Sequence, residues 1–354
     1  METIAVDVIK FFFLSVVASV LAVSFTPALT NFLYRHKLWK KNAREKSIDG
    51  KKAEIFYNFH HKKEINCPRL GGLLIWGVVL IVAFLFWLLS EICPNSFWCQ
   101  KLNFLSRSQT WLPMFALLAA AILGLIDDIL QVEGRGRYVA GGLTFWQRFI
   151  VVSLIGLAGG WWFYFKLEFK TIHIPGNGDF FIGPFYILLF IIVNLACWSG
   201  GVIDGLDGLA GGTFASIFAA FGIIAFARNQ IDLAAFCGVI TGTILAFLWF
   251  NIPPARFYMG ETGSLALTSA LAVVAFLTDS VLVLPIIGGL LVVEAGSVIL
   301  QLLSKQFFKK KMFLSSPIHH HLEALGWPSY KITMRFWIIG VVLAIIGVAI
   351  RLLG

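Results

Sequence analysis

Charged side chains are scarce along this sequence. They make up 13% of its 354 residues, whereas a typical soluble domain carries about 25%. Hydrophobic residues make up 58%, and they occur in long, nearly charge-free runs from one end of the chain to the other. A soluble core would not need such runs, so the composition predicts an integral membrane protein.

Cysteine is also rare, and the spacing of the cysteines is not that of a metal site. The five cysteines contain no CxxC pair and no spacing typical of a metal site, which argues against a zinc centre and against a disulfide scaffold. Cys93 and Cys99 could pair with each other if their loop faces an oxidising compartment.

The hydrophobic runs predict the fold. A helix needs about 20 apolar residues to cross roughly 30 Å of hydrocarbon at about 1.5 Å per residue, and ten segments qualify, which predicts an all-α bundle of about ten transmembrane helices. The segments are 8–33, 70–90, 111–126, 146–165, 179–198, 209–228, 232–250, 263–282, 284–304 and 334–353. The first lacks the basic residues of a secretory signal and is expected to be retained. With no repeat or soluble insertion visible, residues 1–354 are predicted to form a single domain.

Lysine and arginine predict the orientation of the bundle, because cytoplasmic loops are enriched in both. Eleven of the 28 fall in residues 35–69 and six in residues 305–335. This asymmetry predicts that both termini lie outside. The loops predicted to be cytoplasmic are 35–69, 127–148, 199–208, 251–262 and 305–333. We therefore interpret the net charge of +9 as topology and attraction to anionic lipid, and expect no nucleic-acid partner.

A pair of acids follows the third predicted span. Asp127 and Asp128 are adjacent at its predicted cytoplasmic end, and adjacent carboxylates repel each other unless a cation or a proton relieves the repulsion. Mg2+ binds carboxylate oxygens together with the phosphates of a substrate. The alternative is a solvated helix end with no ligand.

A second pair lies in the glycine-rich segment DGLDGLAGG at residues 204–212. Asp204 and Asp207 are three residues apart, so they would share one face if a helix begins here. The glycines allow the backbone to approach a ligand closely. A capped helix start without a ligand is the simpler interpretation.

The third cluster is the segment NIPPARFYMGE at residues 251–261. It offers an amide in Asn251, a cation in Arg256, an aromatic ring in Tyr258 and a carboxylate in Glu261 within a stiff loop. This combination can stack on a nucleotide base while it positions a metal ion. An interfacial turn is the alternative.

Three consecutive histidines, His319 to His321, form the fourth cluster. They would point in different directions on any regular element, so they are poorly suited to one three-ligand metal site. Binding of a phosphate or a nucleotide is the functional interpretation, and a surface loop or a zinc-binding stretch is the alternative. All four clusters fall at predicted cytoplasmic helix ends, which is the main functional signal of the sequence.

At these clusters the chain resembles the polyprenyl-phosphate N-acetylhexosamine-1-phosphate transferases over nearly its whole length. The segments PIHHH and LGWP, which begin at Pro317 and Leu325, are similar to the branch that uses a peptide-bearing donor. The resemblance implies a Mg2+-dependent enzyme of the bacterial inner membrane with a cytoplasmic active site. It implies transfer of phospho-MurNAc-pentapeptide from UDP-MurNAc-pentapeptide to undecaprenyl phosphate, which yields lipid I and UMP, and it suggests a homodimer.

The resemblance also implies roles for individual residues. The catalytic residues would be Asp127, Asp128, Asp204 and His319. Glu261 and Asp204 would hold the metal ion. The substrate-binding residues would be Lys62, Lys63, Asp207, Asn251, Tyr258, Gln301, His320 and His321.

The chain departs from the family pattern at three places. Glu261 stands where the family has the metal-binding aspartate, and Gly201 stands where it usually has an asparagine. The segment CPRLGG, which begins at Cys67, is closer to enzymes that transfer N-acetylglucosamine 1-phosphate from UDP-N-acetylglucosamine to undecaprenyl phosphate, which is the alternative function. A transporter and an inactive relative that binds nucleotide or lipid are further alternatives.

Overall fold

The computed structural model describes residues 2–41, 65–136 and 141–354 of the chain. Within these ranges, ten helices are long and apolar enough to cross a membrane. The predicted all-α membrane fold is therefore confirmed. Their outward faces carry exposed aliphatic and aromatic side chains, as expected where a bundle contacts lipid rather than water.

The described residues contain thirteen α-helices, numbered here in chain order. Their bounds are α1 Glu2–Arg35, α2 Gly72–Ile92, α3 Phe97–Leu102, α4 Trp111–Glu133, α5 Phe145–Phe165, α6 Phe185–Gly200, α7 Leu209–Ala227, α8 Ile231–Asn251, α9 Gly260–Leu277, α10 Leu284–Ile287, α11 Gly289–Phe307, α12 Ile318–Ala324 and α13 Ser329–Leu353. A short hairpin of strands β1 Thr171–Ile174 and β2 Gly178–Phe181 precedes α6, with Thr171 paired to Phe181.

Helix α9 lies at the centre of the bundle and packs on α4, α6 and α2. Every residue of α9 except Glu261 is buried. Small residues allow this close approach: a Cβ at Gly124 of α4 would overlap the backbone of Glu261, and one at Gly72 of α2 would overlap that of Gly263. Such contacts between small residues are the usual way in which membrane helices associate. They hold the first turn of α9 against α2 and α4.

Three predicted boundaries differ from the structure. Helix α4 continues past Asp128 to Glu133 and ends at Gly134 in a left-handed conformation, so the acid pair lies inside the helix and not at its end. The span predicted over 179–198 begins only at Phe185, because Gly178 and Gly183 have positive φ and Pro184 precedes the helix. The span predicted over 284–304 is interrupted at Gly288.

Candidate active site

The four clusters converge around the first turn of α9. The backbone N–H of Gly260 donates a hydrogen bond to Asp204 Oδ2 over 3.1 Å, and the N–H of Thr262 donates one to Asp128 Oδ2 over 2.9 Å. Gly260 has φ of +73°, and a Cβ there would overlap the carboxylate of Asp128. The first turn of α9 thus connects acids that are 76 positions apart in sequence.

Asp127 is fully buried and fixed by neighbours. Its Oδ2 accepts a hydrogen bond from Gln131 Nε2 over 2.7 Å, and its Oδ1 accepts one from the N–H of Leu143 over 2.5 Å. Gln131 in turn accepts from Arg69 Nη1 over 3.0 Å. These bonds explain why a helix can continue past a buried acid, since buried carboxylates need hydrogen-bond partners or a counter-charge.

Asp128 is equally buried but less completely paired. Its Oδ1 accepts no hydrogen bond from the described residues, and the nearest cation to that oxygen is Arg69 Nε at 3.9 Å. A buried carboxylate oxygen without a hydrogen bond is unusual in a folded protein. This oxygen is therefore the atom of the acid pair that is most available to a ligand.

Arg148 at the start of α5 brings a second cation to the acids. Its Nη1 donates a hydrogen bond to Glu261 Oε1 over 3.0 Å and lies 3.7 Å from Asp127 Oδ2. The Arg148 side chain is 11% exposed and that of Glu261 28%, so the pair is only partly screened by solvent. Sequence reasoning missed both Arg148 and Arg69 as site residues, because both were counted only as basic residues of predicted cytoplasmic loops.

Asp204 and Asp207 lie on the turn between a 3-10 segment, Gly201–Ile203, and α7. They do not share a helix face, since α7 begins only at Leu209. Burial raises the pKa of Asp204 to about 6, and the nearby carboxylates of Glu261 and Asp207 act in the same direction, while Arg69 acts against them. A bound cation would favour the ionised form of such an acid.

Asn251 ties this turn to the proline-rich loop. Its Oδ1 accepts from the N–H of Gly208 over 3.0 Å, and its Nδ2 donates to the carbonyl of Phe257 over 2.8 Å. Asp207 Oδ2 accepts from the N–H of Ala255 over 3.3 Å. The second and third clusters are therefore one unit, and the buried amide of Asn251 connects its two loops.

Tyr258 stands on the same loop, beside the segment that contains Arg69. Its N–H donates to the carbonyl of Pro68 and its carbonyl accepts from the N–H of Gly71, each over 2.8 Å. Burial raises the pKa of the Tyr258 hydroxyl. The ring is half-buried, so stacking on a base stays a prediction.

The three histidines have three different partners. His319 Nδ1 lies 2.9 Å from Glu294 Oε2, and both side chains are fully buried. His320 Nδ1 lies 2.8 Å from Glu323 Oε2. His321 Nδ1 accepts from the N–H of Leu314 over 3.2 Å. Each of the three Nδ1 atoms therefore has its own contact.

The histidines reach the acidic turn through a glycine. A Cβ at Gly205, between Asp204 and Asp207, would overlap His319 Nε2 and lie 3.2 Å from His320 Nε2. The fourth cluster therefore contacts the second, although 114 positions separate Gly205 from His319.

Other predicted residues have less direct connections to the acids. Gln301 Oε1 accepts from the N–H groups of Met312 and Phe313, each over 2.9 Å, so its side chain holds the loop that leads to the histidines. Lys62 and Lys63 lie outside the described residues. Substrate contacts of all three stay predictions.

Gly201, where the family usually has an asparagine, packs closely against α9. A Cβ at this position would lie 3.2 Å from Ser264 Oγ. A larger side chain here would press on α9 unless Ser264 moved, which is a physical reason for a small residue in this chain.

Three metal-ligand atoms within 4.8 Å of one another occur, in the described part of the chain, at the opposite end of the bundle. They belong to His173 and Asp179 of the hairpin and to Asp279. The acids of the candidate site are more widely spaced. A metal ion there would need oxygen ligands from a substrate in addition to the protein, as is usual for Mg2+ with phosphates.

The fold and the site together define a multi-pass membrane protein that gathers carboxylates, arginines and histidines at one end of a helical bundle. Buried acids and cations that lie close together, with backbone N–H groups around them, are suited to phosphate chemistry.

Comparisons with known proteins agree with this class. The model of glycosyl transferase family 4 matches residues 110–279. The chain is 36% identical to the phospho-N-acetylmuramoyl-pentapeptide-transferase of Geobacillus thermodenitrificans, over 95% of this chain and 96% of that protein. It is 35% identical to the protein of that name from Bacillus subtilis, over 94% of each chain, and 37% identical to that of Levilactobacillus brevis, over 81% of this chain and 85% of the relative. The chain belongs to the phospho-N-acetylmuramoyl-pentapeptide transferase family.

Proposed function

We propose that this protein transfers phospho-MurNAc-pentapeptide from UDP-MurNAc-pentapeptide to undecaprenyl phosphate, with lipid I and UMP as products. The observation that carries the proposal is the convergence of four distant clusters on the first turn of α9, where Asp128, Asp204 and Glu261 meet Arg69 and Arg148. The names of the relatives support the donor. The alternative donor, UDP-N-acetylglucosamine, is not favoured by them.

The reaction joins two anionic groups that repel each other. A phosphate oxygen of the lipid forms a bond to the β-phosphorus of the nucleotide, and the bond from that phosphorus to the oxygen of UMP breaks. Arg69 and Arg148 lie at the acids, where a guanidinium can pair with a phosphate and relieve the repulsion. A site that holds both reactants in line adds a further large contribution.

The residues present fit a Mg2+ ion. The donor set consists of carboxylates only, as hard cations prefer, and it includes the Asp128 oxygen that accepts no hydrogen bond from the described residues. Glu261 and Asp204 would hold the ion, with Asp128 beside them. When bound, Mg2+ would neutralise charge on the diphosphate and orient it.

The two acids of the pair have different roles in this proposal. Asp128 lies beside the residues that would hold the ion, and Asp127 acts on the lipid phosphate. Asp127, fixed by Gln131 and Leu143, is held in place to accept the proton of the lipid phosphate in a one-step reaction. A two-step reaction through a carboxylate nucleophile is the alternative. The basic loops support a cytoplasmic site in the bacterial inner membrane.

Release of UMP by the purified full-length protein tests this function. UDP-MurNAc-pentapeptide and undecaprenyl phosphate would be supplied with and without Mg2+, beside UDP-N-acetylglucosamine as the competing donor. We expect Mg2+-dependent turnover that collapses in Asp127→Asn and Glu261→Gln. Glu91→Gln makes the same acid-to-amide change at an exposed position in the last turn of α2, at the end of that helix away from the site. This variant should retain activity. Turnover of UDP-N-acetylglucosamine in place of the peptide-bearing donor would contradict the proposal.

A further inference from the structure

A buried acid, Glu294, occurs in the membrane-spanning helix α11, which contains no other acidic residue. Glu294 has no exposed surface, and its only acidic or basic companion within α11 is Lys305, near the end of the helix. An ionisable side chain inside a membrane-spanning helix costs free energy to bury, so such a residue usually has a polar partner and a function.

The partner of Glu294 is the first histidine of the motif. Oε2 of Glu294 lies 2.9 Å from Nδ1 of His319, and neither side chain is exposed. An ionised carboxylate only accepts hydrogen bonds, so with Glu294 ionised this contact places the imidazole proton on Nδ1, whereas a protonated carboxyl would donate to an unprotonated Nδ1.

The other ring nitrogen faces the acidic turn. Nε2 of His319 lies where a Cβ would stand on Gly205, between Asp204 and Asp207. A neutral ring with its proton on Nδ1 presents a lone pair on Nε2 toward this turn. Orientation of one imidazole nitrogen by a carboxylate on the other is the usual way to fix a functional tautomer.

The neighbouring histidine offers an internal comparison. His320 pairs with Glu323, which lies only three residues away on the same short helix α12. Glu294 instead reaches His319 from a different helix, 25 positions earlier. The Glu294 contact therefore fixes the position of α12 relative to α11, in addition to the tautomer.

We propose that Glu294 is a positioning residue: it holds His319 with Nδ1 protonated and Nε2 turned toward the turn that carries Asp204 and Asp207. This inference rests on the proposed function for its place in the reaction, but the state of the imidazole can be measured without any turnover.

The first experiment is nuclear magnetic resonance of the full-length protein in lipid bilayers, with 15N in the histidine rings. The chain has seven histidines, and His319→Asn would identify the signals of His319. We expect a protonated Nδ1 in the unchanged protein and in Glu294→Gln, since the amide oxygen can still accept. In Glu294→Leu we expect a mixture of tautomers. Glu323→Gln is the matched control, and it should leave the His319 signals unchanged.

The second experiment measures kcat and KM for UMP release in the same variants. We expect Glu294→Leu to lower kcat about 10- to 100-fold, as loss of an orienting partner commonly does, with partial recovery in Glu294→Gln and little change in KM for the nucleotide sugar. Thermal unfolding would show which variants remain folded.

Two results would overturn the inference: an unprotonated Nδ1 in the unchanged protein, or His319 signals and kcat that do not respond to Glu294→Leu. If the unchanged protein releases no UMP while the tautomer of His319 depends on Glu294, the proposed function fails and the positioning contact stands. If Glu294→Leu does not fold, Glu294→Met takes its place, because methionine has a side chain of similar length and lacks the carboxylate that accepts from Nδ1.

Discussion

Arg148 donates a hydrogen bond to Glu261 over 3.0 Å, between residues 113 positions apart. The same guanidinium lies 3.7 Å from Asp127, so one cation from α5 serves two acids that come from α4 and α9. Glu261 is the only residue of α9 that is not buried. Glu261 stands where the resembled family has an aspartate. Its longer side chain accepts the hydrogen bond of Arg148, so this positive charge lies at the edge of the site.

Removal of that positive charge should impair the reaction. In Arg148→Gln, the carboxylates of Asp127 and Glu261 lose a shared partner, and the phosphate loses a cation, so we expect kcat/KM to fall about a hundredfold. Arg148→Lys keeps the positive charge but lacks the planar guanidinium. Its kcat/KM should lie between that of the unchanged protein and that of Arg148→Gln. UMP release by the three proteins checks this order. An Arg148→Gln variant with unchanged kcat/KM would show that Arg148 has only a structural role.

Gly260 should be required for two separable reasons. Its φ is +73°, and a Cβ there would overlap the carboxylate of Asp128. Gly134 has a similar φ of +68°, but no atom of the described residues lies within 4 Å of the place that its Cβ would take. Alanine at either position should therefore reduce stability by about 1 kcal/mol through backbone strain.

Only Gly260→Ala should also displace an acid of the site, and such a displacement can reduce the rate about a hundredfold. Thermal unfolding and UMP release, measured for both glycine variants, separate the two effects. Equal activity in Gly260→Ala and Gly134→Ala would contradict the role given to the contact between Gly260 and Asp128.

Hydropathy was sufficient to predict the ten spans, since each is a local property of the sequence. It could not predict that α4 continues past Asp127 to Glu133. That continuation depends on hydrogen bonds from Gln131 and from Leu143, which exist only after the chain has folded. The predicted span over 179–198 likewise included most of strand β2, although the glycines around that strand indicate turns.

The acids and histidines of the site were recognisable because they form clusters in the sequence. Arg148 and Glu294 were missed because each stands alone in an apolar context, and their partners are 113 and 25 positions away. Glu294 nevertheless carried a usable signal, since a lone acid in the middle of a membrane span is rare and commonly functional. Arg148, close to a helix end, resembled an ordinary interfacial cation.

Asn251 should contribute to both stability and donor binding. Its amide satisfies the N–H of Gly208 and the carbonyl of Phe257, and Asn251→Leu would leave both groups without that partner at a cost of about 1–3 kcal/mol each. We expect a lower midpoint of thermal unfolding and a higher KM for the nucleotide sugar. Asn95→Leu, at an exposed position, is the control and should change neither. A variant of Asn251 with unaltered KM would limit its role to folding.

Cys93 and Cys99 allow the predicted orientation of the bundle to be tested together with the chemistry of their loop. Cys93 is exposed, and it follows α2, whose first turn packs against the site. The positive loops at the site therefore predict that Cys93 lies outside. In intact cells treated with a reductant, a thiol reagent that does not cross membranes should modify Cys93, whereas the buried Cys197 and Cys237 should not react.

The reaction of Cys93 should also depend on pH in a defined direction. The negative charge of the neighbouring Cys99 thiolate raises the pKa of Cys93, so at a given pH a smaller fraction of Cys93 is the reactive thiolate. Modification should accelerate as the pH rises through that pKa, and Cys99→Ser should accelerate it at fixed pH. The rate of labelling, followed by mass spectrometry of the purified protein, measures both effects.

The orientation test in intact cells has one contradicting outcome. Labelling of Cys93 only after the membrane is permeabilised would reverse the predicted orientation, because it would place this loop, and not the acids and histidines, in the cytoplasm.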